Sequence, residues 1–156
     1  MILILDEWII HDLQNDNGKD KQKESFQFLE KIKEKCDEIV LIENSKFIKK
    51  LWSFFKKASQ SIEFKLKVRF IKDSFIHDSE KTKIINLQNV ESNFYTHILK
   101  DVNPDDHYLV LRYEYLKQKG KETIIITTDK NLKRTLEQKG ISIELRDEFL
   151  KKYTIK

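Results

Sequence analysis

Three short runs of nearly uninterrupted apolar residues punctuate the chain: Met1-Ile2-Leu3-Ile4-Leu5, Ile39-Val40-Leu41-Ile42 and Ile124-Ile125-Ile126. Each is too short for a core helix and rich in β-branched side chains, so each is expected to be a strand covered on both faces. Between them the period changes. From Lys21 to Cys36, Phe26, Leu29, Ile32 and Cys36 recur at helical spacing with Phe28 widening the stripe. After Ser45, a capping residue, Phe47, Ile48, Leu51, Trp52, Phe54 and Phe55 supply a second helical face. Trp8 to Leu13 reads as a short helical turn, and Gln14-Asn15-Asp16-Asn17-Gly18 as a polar break.

The window from Ser59 to Val90 tolerates both periods. We read it as helix, because parallel strands need a crossover helix between them, with Ile84 and Ile85 in a minor strand. Pro104 and the acids after it suit a helix's first turn. Leu109, Val110, Tyr113 and Leu116 then face the core until Gly120 closes that helix. Leu132 to Lys139 forms another helix ended by Gly140, and Ile141-Ser142-Ile143 is the last strand. This alternation predicts an α/β fold, a three-layer α/β/α sandwich with a mostly parallel central sheet.

Composition narrows the classes. At 156 residues and 39% hydrophobic, with three glycines, one proline and no repeat, residues 1–156 are expected to form a single domain. The lone Cys36 excludes a disulfide framework, and the first residues lack the flank and length of a secretory signal, so a cytoplasmic location is expected. No apolar run approaches the roughly 20 residues that span a bilayer, so no membrane partner is expected. The net charge of +4 is unevenly spread: Lys46, Lys49, Lys50, Lys56, Lys57, Lys65, Lys67, Arg69 and Lys72 face only Glu63 in their segment. Such a cluster suits a phosphate backbone, or equally a solvated helix face.

The candidate chemistry lies where strands end. Asp6 and Glu7 follow the first strand, Glu43 the second, and Thr127-Thr128-Asp129 the third apolar run; Asp105 and Asp106 open a helix. In an open α/β sheet that edge is where ligands bind. Carboxylates gathered there repel one another unless a cation compensates them, and Mg2+ or Mn2+ are hard ions that accept carboxylate oxygens and leave positions for a phosphate. Such an ion polarises a phosphoryl oxygen and acidifies water, so hydrolysis needs no protein nucleophile. The four histidines show no pairing at ligand spacing, Cys36 belongs to an apolar stripe, and Trp8 and Trp52 are expected in the core.

This arrangement resembles the PIN domain, a family of metal-dependent nucleases that includes toxins of many toxin–antitoxin pairs. Asp6 in Ile-Leu-Asp-Glu matches the acid ending its first strand, and Glu43 in Val-Leu-Ile-Glu-Asn-Ser the glutamate after its second. Asp106, with Leu109 and Val110 following, matches the aspartate that opens a late helix, with Asp105 in support. Thr127-Thr128-Asp129-Lys130-Asn131-Leu132 resembles the Thr-x-Asp-x-x-Leu motif. Two positions depart: Glu7 and Trp8 follow Asp6 where a small polar residue is usual, and Asn131 replaces a fourth acid. The resemblance implies an endoribonuclease in which Asp6, Glu43, Asp106 and Asp129 hold the metal, Asn131 supports it, and Lys46, Lys49, Lys50 and Lys130 bind RNA. It also implies an antitoxin protein as partner and a homodimer, for which the sequence supplies no interface pattern. Two other classes use similar scaffolds. A phosphoacceptor receiver domain would need an aspartate at Glu43 and a lysine closing the last strand. A non-catalytic PIN-like module would bind RNA or protein through the basic segment, a reading that Asn131 favours.

Overall fold

The apolar runs form strands, and the sheet is wholly parallel. The computed structural model describes residues 1–58, 60–86 and 96–155. Strands β1 (Ile2–Leu5), β2 (Glu38–Ile42), β3 (Thr82–Ile85), β4 (Thr123–Thr127) and β5 (Ile143–Leu145) lie in the order β3-β2-β1-β4-β5. Every neighbouring pair is parallel. The helices are α1 (Trp8–Leu13), α2 (Lys19–Glu34), α3 (Lys46–Ala58), α4 (Ile62–Ile71), α5 (Thr96–Leu99), α6 (His107–Gln118), α7 (Lys130–Gln138) and α8 (Arg146–Ile155).

Alternate strand residues serve opposite faces. Leu3, Leu5, Leu41 and Ile126 pack with Trp8, Phe28, Phe47, Phe54 and Phe149 from α1, α2, α3 and α8. Ile2, Ile4, Val40 and Ile125 pack with Leu109, Val110, Leu132 and Leu136 from α6 and α7. The result is the expected three-layer α/β/α sandwich. Each fully buried leucine or isoleucine contributes about 1.5–3 kcal/mol. The acid at the end of β1 fixes the register: Ile2 to Leu5 pair with Thr123 to Ile126, and a slip of one place would draw the Asp6 carboxylate between strands. The chain ends α6 and α7 with glycines at positive φ, Gly120 (67°) and Gly140 (73°). In each, the next residue's N–H returns to a carbonyl of the last turn, Lys121 to Leu116 and Ile141 to Leu136, a Schellman closure.

Several expectations are corrected. The ambiguous window does contain a helix, α4, which runs on through a π-helical turn at Lys72–Ile76, and Ile84 and Ile85 do lie in β3. Ser59 and residues 87–90 of that window fall outside the described residues. Helix α2 stops at Glu34 and Lys35 turns extended (φ −91°, ψ 165°), so Cys36 leaves the helical stripe and is exposed. Trp52 is 46% exposed, leaving the inner face of α3 to Phe47, Leu51, Phe54 and Phe55. The last strand is displaced to Ile143–Leu145, because the Schellman closure at Gly140 uses Ile141. Helix α8, which the pattern did not reveal, buries Phe149, Leu150 and Tyr153 among charged neighbours.

Candidate active site

Strand order places the acids. From β1 the chain winds outward through β2 to β3, then crosses back to lay β4 on the other side of β1. The point of reversal, above the carboxyl ends of β1 and β4, is where open α/β sheets bind ligands. Asp6 leaves β1 there, and Asp129 follows β4 by two residues.

The pairing of Leu5 with Ile126 sets Asp6 opposite Thr127, whose hydroxyl donates to Asp6 Oδ2 at 2.8 Å. Asp6 Oδ1 accepts from the Glu7 N–H (2.6 Å) and the Tyr108 hydroxyl (3.2 Å). Thr127 Oγ1 also accepts the Asp129 N–H at 3.1 Å, linking the two strand ends. Asp129 caps α7, its Oδ1 accepting from Asn131 N–H (2.7 Å) and Leu132 N–H (3.0 Å). A turn at Pro104–Asp106, capped by Asn103 Oδ1, brings Asp106 to the same edge at the start of α6.

Electrostatics mark Asp106 as the strained member. Partial burial, then the charges of Asp6, Asp129, Asp105 and Glu7, push its carboxyl from 3.8 up to about 6. Its side chain makes no capping hydrogen bond. Tyr108 is pushed well above its ordinary value by burial and by Asp6, so the phenol stays a donor. Beneath it Arg112 is wholly buried, and burial lowers its guanidinium to about 10.

Cations approach from α3. Lys50 Nζ pairs closely with Glu7 Oε2, while Lys46 Nζ lies 3.9 Å from Glu7 Oε1 and 3.4 Å from Asp105 Oδ2. Those acids, Glu7 first, hold the Lys46 ammonium above its ordinary range.

The structure thus brings Asp6, Asp106 and Asp129 to one edge, with Asp105, Thr127, Lys46 and Lys50 around them. Glu43 follows the end of β2, the strand paired with β1. It is exposed, and Asn86 from the end of β3 donates to its Oε2 at 3.0 Å. Thr128, Lys49, Lys130 and Asn131 are exposed, and Asn131 meets Asp129 through its main chain. Sequence reasoning missed Tyr108 and Arg112, and it counted Glu7 among the acids at the strand ends while giving it no role in the site. The signal for Arg112 was a charged residue inside the apolar spacing of Leu109, Tyr113 and Leu116.

The donor set, carboxylates with hydroxyl and amide support, suits a hard divalent ion. The excess negative charge around Asp106 is what such an ion offsets. As placed, no three histidine, cysteine, aspartate or glutamate side chains among the described residues already form a metal cluster. Asp105 and Asp129 are exposed at this edge. A cavity of about 420 Å3 lies elsewhere, between α2 and α8, and its Arg146 is taken up by Asp12, Glu24 and Asp147. Among the described residues, no helix is long and apolar enough to cross a membrane. Comparison of the chain with protein-family models, characterised proteins and solved structures finds no match to any of them.

Proposed function

We propose that this protein is a divalent-metal-dependent nuclease of PIN-like design, acting on RNA phosphodiesters in the cytoplasm. The observation that carries the reading is that the Thr127 hydroxyl joins the Asp6 carboxylate to the main-chain N–H of Asp129 at the switch point of the sheet, with Asp106 feeling the charge of both carboxylates. In this reading Asp6, Asp106 and Asp129 hold Mg2+ or Mn2+, and Glu43 and Asn131 serve the rim. The ion, when bound, supplies Lewis-acid polarisation of the phosphate and acidifies water. Thr127 and Tyr108 orient Asp6 by donating to its two oxygens. Lys46 and Lys50 beside the acids, with Lys49 and Lys130 exposed to solvent, track the backbone phosphates. RNA as substrate, an antitoxin that covers the acids and a homodimer belong to the same proposal through the family resemblance alone.

The test is cleavage of single-stranded RNA and DNA with Mg2+ or Mn2+ by the wild type, Asp6→Asn and Asp129→Asn. Loss of cleavage in both folded variants, and in chelator, is expected. Full activity in either variant overturns the assignment, and cleavage of DNA alone overturns the choice of RNA. The second reading is a non-catalytic RNA- or protein-binding module, favoured by the lack of a ready three-ligand cluster among the described residues. A wild type that neither cleaves nor binds Mn2+ in titration calorimetry would favour it over the first and move the search to partners.

A further inference from the structure

Helix α6 carries a charge on its buried stripe. Arg112 is 0% exposed, and its Nη1 donates to the Val40 carbonyl of β2. Its Nε and Nη2 find no acceptor, and among the described residues no carboxylate pairs with it. A guanidinium so placed is costly, and an apolar side chain of similar volume normally serves the fold as well or better. Something therefore offsets the charge. The guanidinium lies 5.4 Å from the centre of the Tyr108 ring, and the Tyr108 hydroxyl donates to Asp6 Oδ1 at 3.2 Å. A cation against the ring draws density from the phenol and strengthens its O–H as a donor. In the low dielectric behind the sheet edge, attraction between Arg112 and Asp6 also reaches past a single contact.

We infer that Arg112 is a positioning residue of the acid site: a buried counter-cation that acts through Tyr108 to hold the Asp6 carboxylate in place and offset the repulsion among Asp6, Asp106 and Asp129. Its part in hydrolysis rests on the function proposed above; the charge coupling does not. Arg112 reaches no solvent, so it touches no substrate and acts only through Asp6.

The experiment is a double-mutant cycle of Arg112→Met and Asp6→Asn, read by urea denaturation in chelator without metal or nucleic acid. The proposal expects Arg112→Met to lower the folding equilibrium constant at least about tenfold more in the wild type than in Asp6→Asn, a coupling of about 1.4 kcal/mol. A general packing role predicts the same loss in both backgrounds, and that result overturns the proposal. Folding of Arg112→Met only when Asp6→Asn is present is the same coupling at its extreme and supports the proposal, whereas a larger loss in the Asp6→Asn background than in the wild type overturns it. If Arg112→Met unfolds in both backgrounds, Arg112→Lys decides: it keeps the charge, so restored folding in the wild type supports the proposal, and equal losses in both backgrounds overturn it. Coupling without any cleavage by the wild type upholds Arg112 and removes the nuclease, so the two failures are distinguishable.

Discussion

Replacing Asp106 with asparagine should stabilise the protein, and only above a particular pH. The native carboxyl titrates at about 6 against 3.8 in the unfolded chain. At about 1.4 kcal/mol per tenfold change in equilibrium constant, holding that group ionised costs the native state about 3 kcal/mol. Two effects reduce the figure. The side chain is only partly buried, so water screens its neighbours, and the positive end of α6 favours an anion at that position. About 1–1.5 kcal/mol is the expected gain at pH 8. The sign follows from proton counts: between pH 4 and 6 the folded state binds more protons than the unfolded one, so wild-type stability from this group falls as pH rises. Below pH 4 the carboxyl is protonated in both states and the gain vanishes. Urea denaturation of wild type and Asp106→Asn in chelator, followed by tryptophan fluorescence from pH 4 to 8, measures the difference directly. For a chain of this length the matching rise in Tm at pH 8 is about 3–5 °C. Millimolar Mg2+ should narrow the gap by relieving the wild type. A difference that does not vary with pH, or a variant less stable at pH 8, refutes the repulsion at Asp106.

Asp129→Asn should keep the α7 cap and cost little stability, whereas Asp129→Ala should lose about 1 kcal/mol by thermal denaturation, since both N–H groups at 2.7 and 3.0 Å lose their acceptor. Asp12→Ala should cost about 3 kcal/mol, or about 6–12 °C in Tm, because it leaves the buried Arg146 guanidinium without its 2.8 Å partner; a loss below about 1 kcal/mol would show that Glu24 and Asp147 suffice. Lys46→Ala should reduce the slope of log affinity for single-stranded RNA against log salt by about 0.7, with little effect from Lys152→Ala, where the ammonium pairs with Glu144.

What the sequence made legible was what depends on local burial. Strands β1, β2 and β4 are sheathed on both faces, so their runs are continuously apolar and read as strands without any partner in view. Strand β3 lies at the sheet's edge, where Lys83 and Ile84 are exposed and only Thr82 is buried, so the pattern thinned to two isoleucines. Helix α8 was hidden because three aromatic and aliphatic side chains suffice to dock it against Phe28, at ring distances of 5.3 and 6.0 Å for Tyr153 and Phe149. Asp6, Asp106 and Asp129 were legible for the same local reason: each ends or begins an element. Tyr108 on Asp6 and Arg112 on Val40 depend instead on how α6 lies across the sheet, over separations of 102 and 72 residues. No short pattern carries that.

Two acids in this chain show how burial separates structure from chemistry. Asp12 is almost fully enclosed, and its oxygens are saturated: Asn17 donates to Oδ1 at 2.8 Å, while Ser25 and Arg146 donate to Oδ2 at 2.7 and 2.8 Å. Arg146 in turn lies 5.3 Å from the Trp8 ring centre, so the group ties α1 and α2 to the start of α8. Nothing there is left over for a ligand. Asp106 is less buried yet has no capping hydrogen bond and faces four like charges. A fold under selection for stability alone has simple remedies at that position, asparagine or serine among them. Keeping an unpaired carboxylate beside Asp6 and Asp129 makes sense when something positively charged completes the group, which is the argument for a divalent ion at this edge rather than at Asp12.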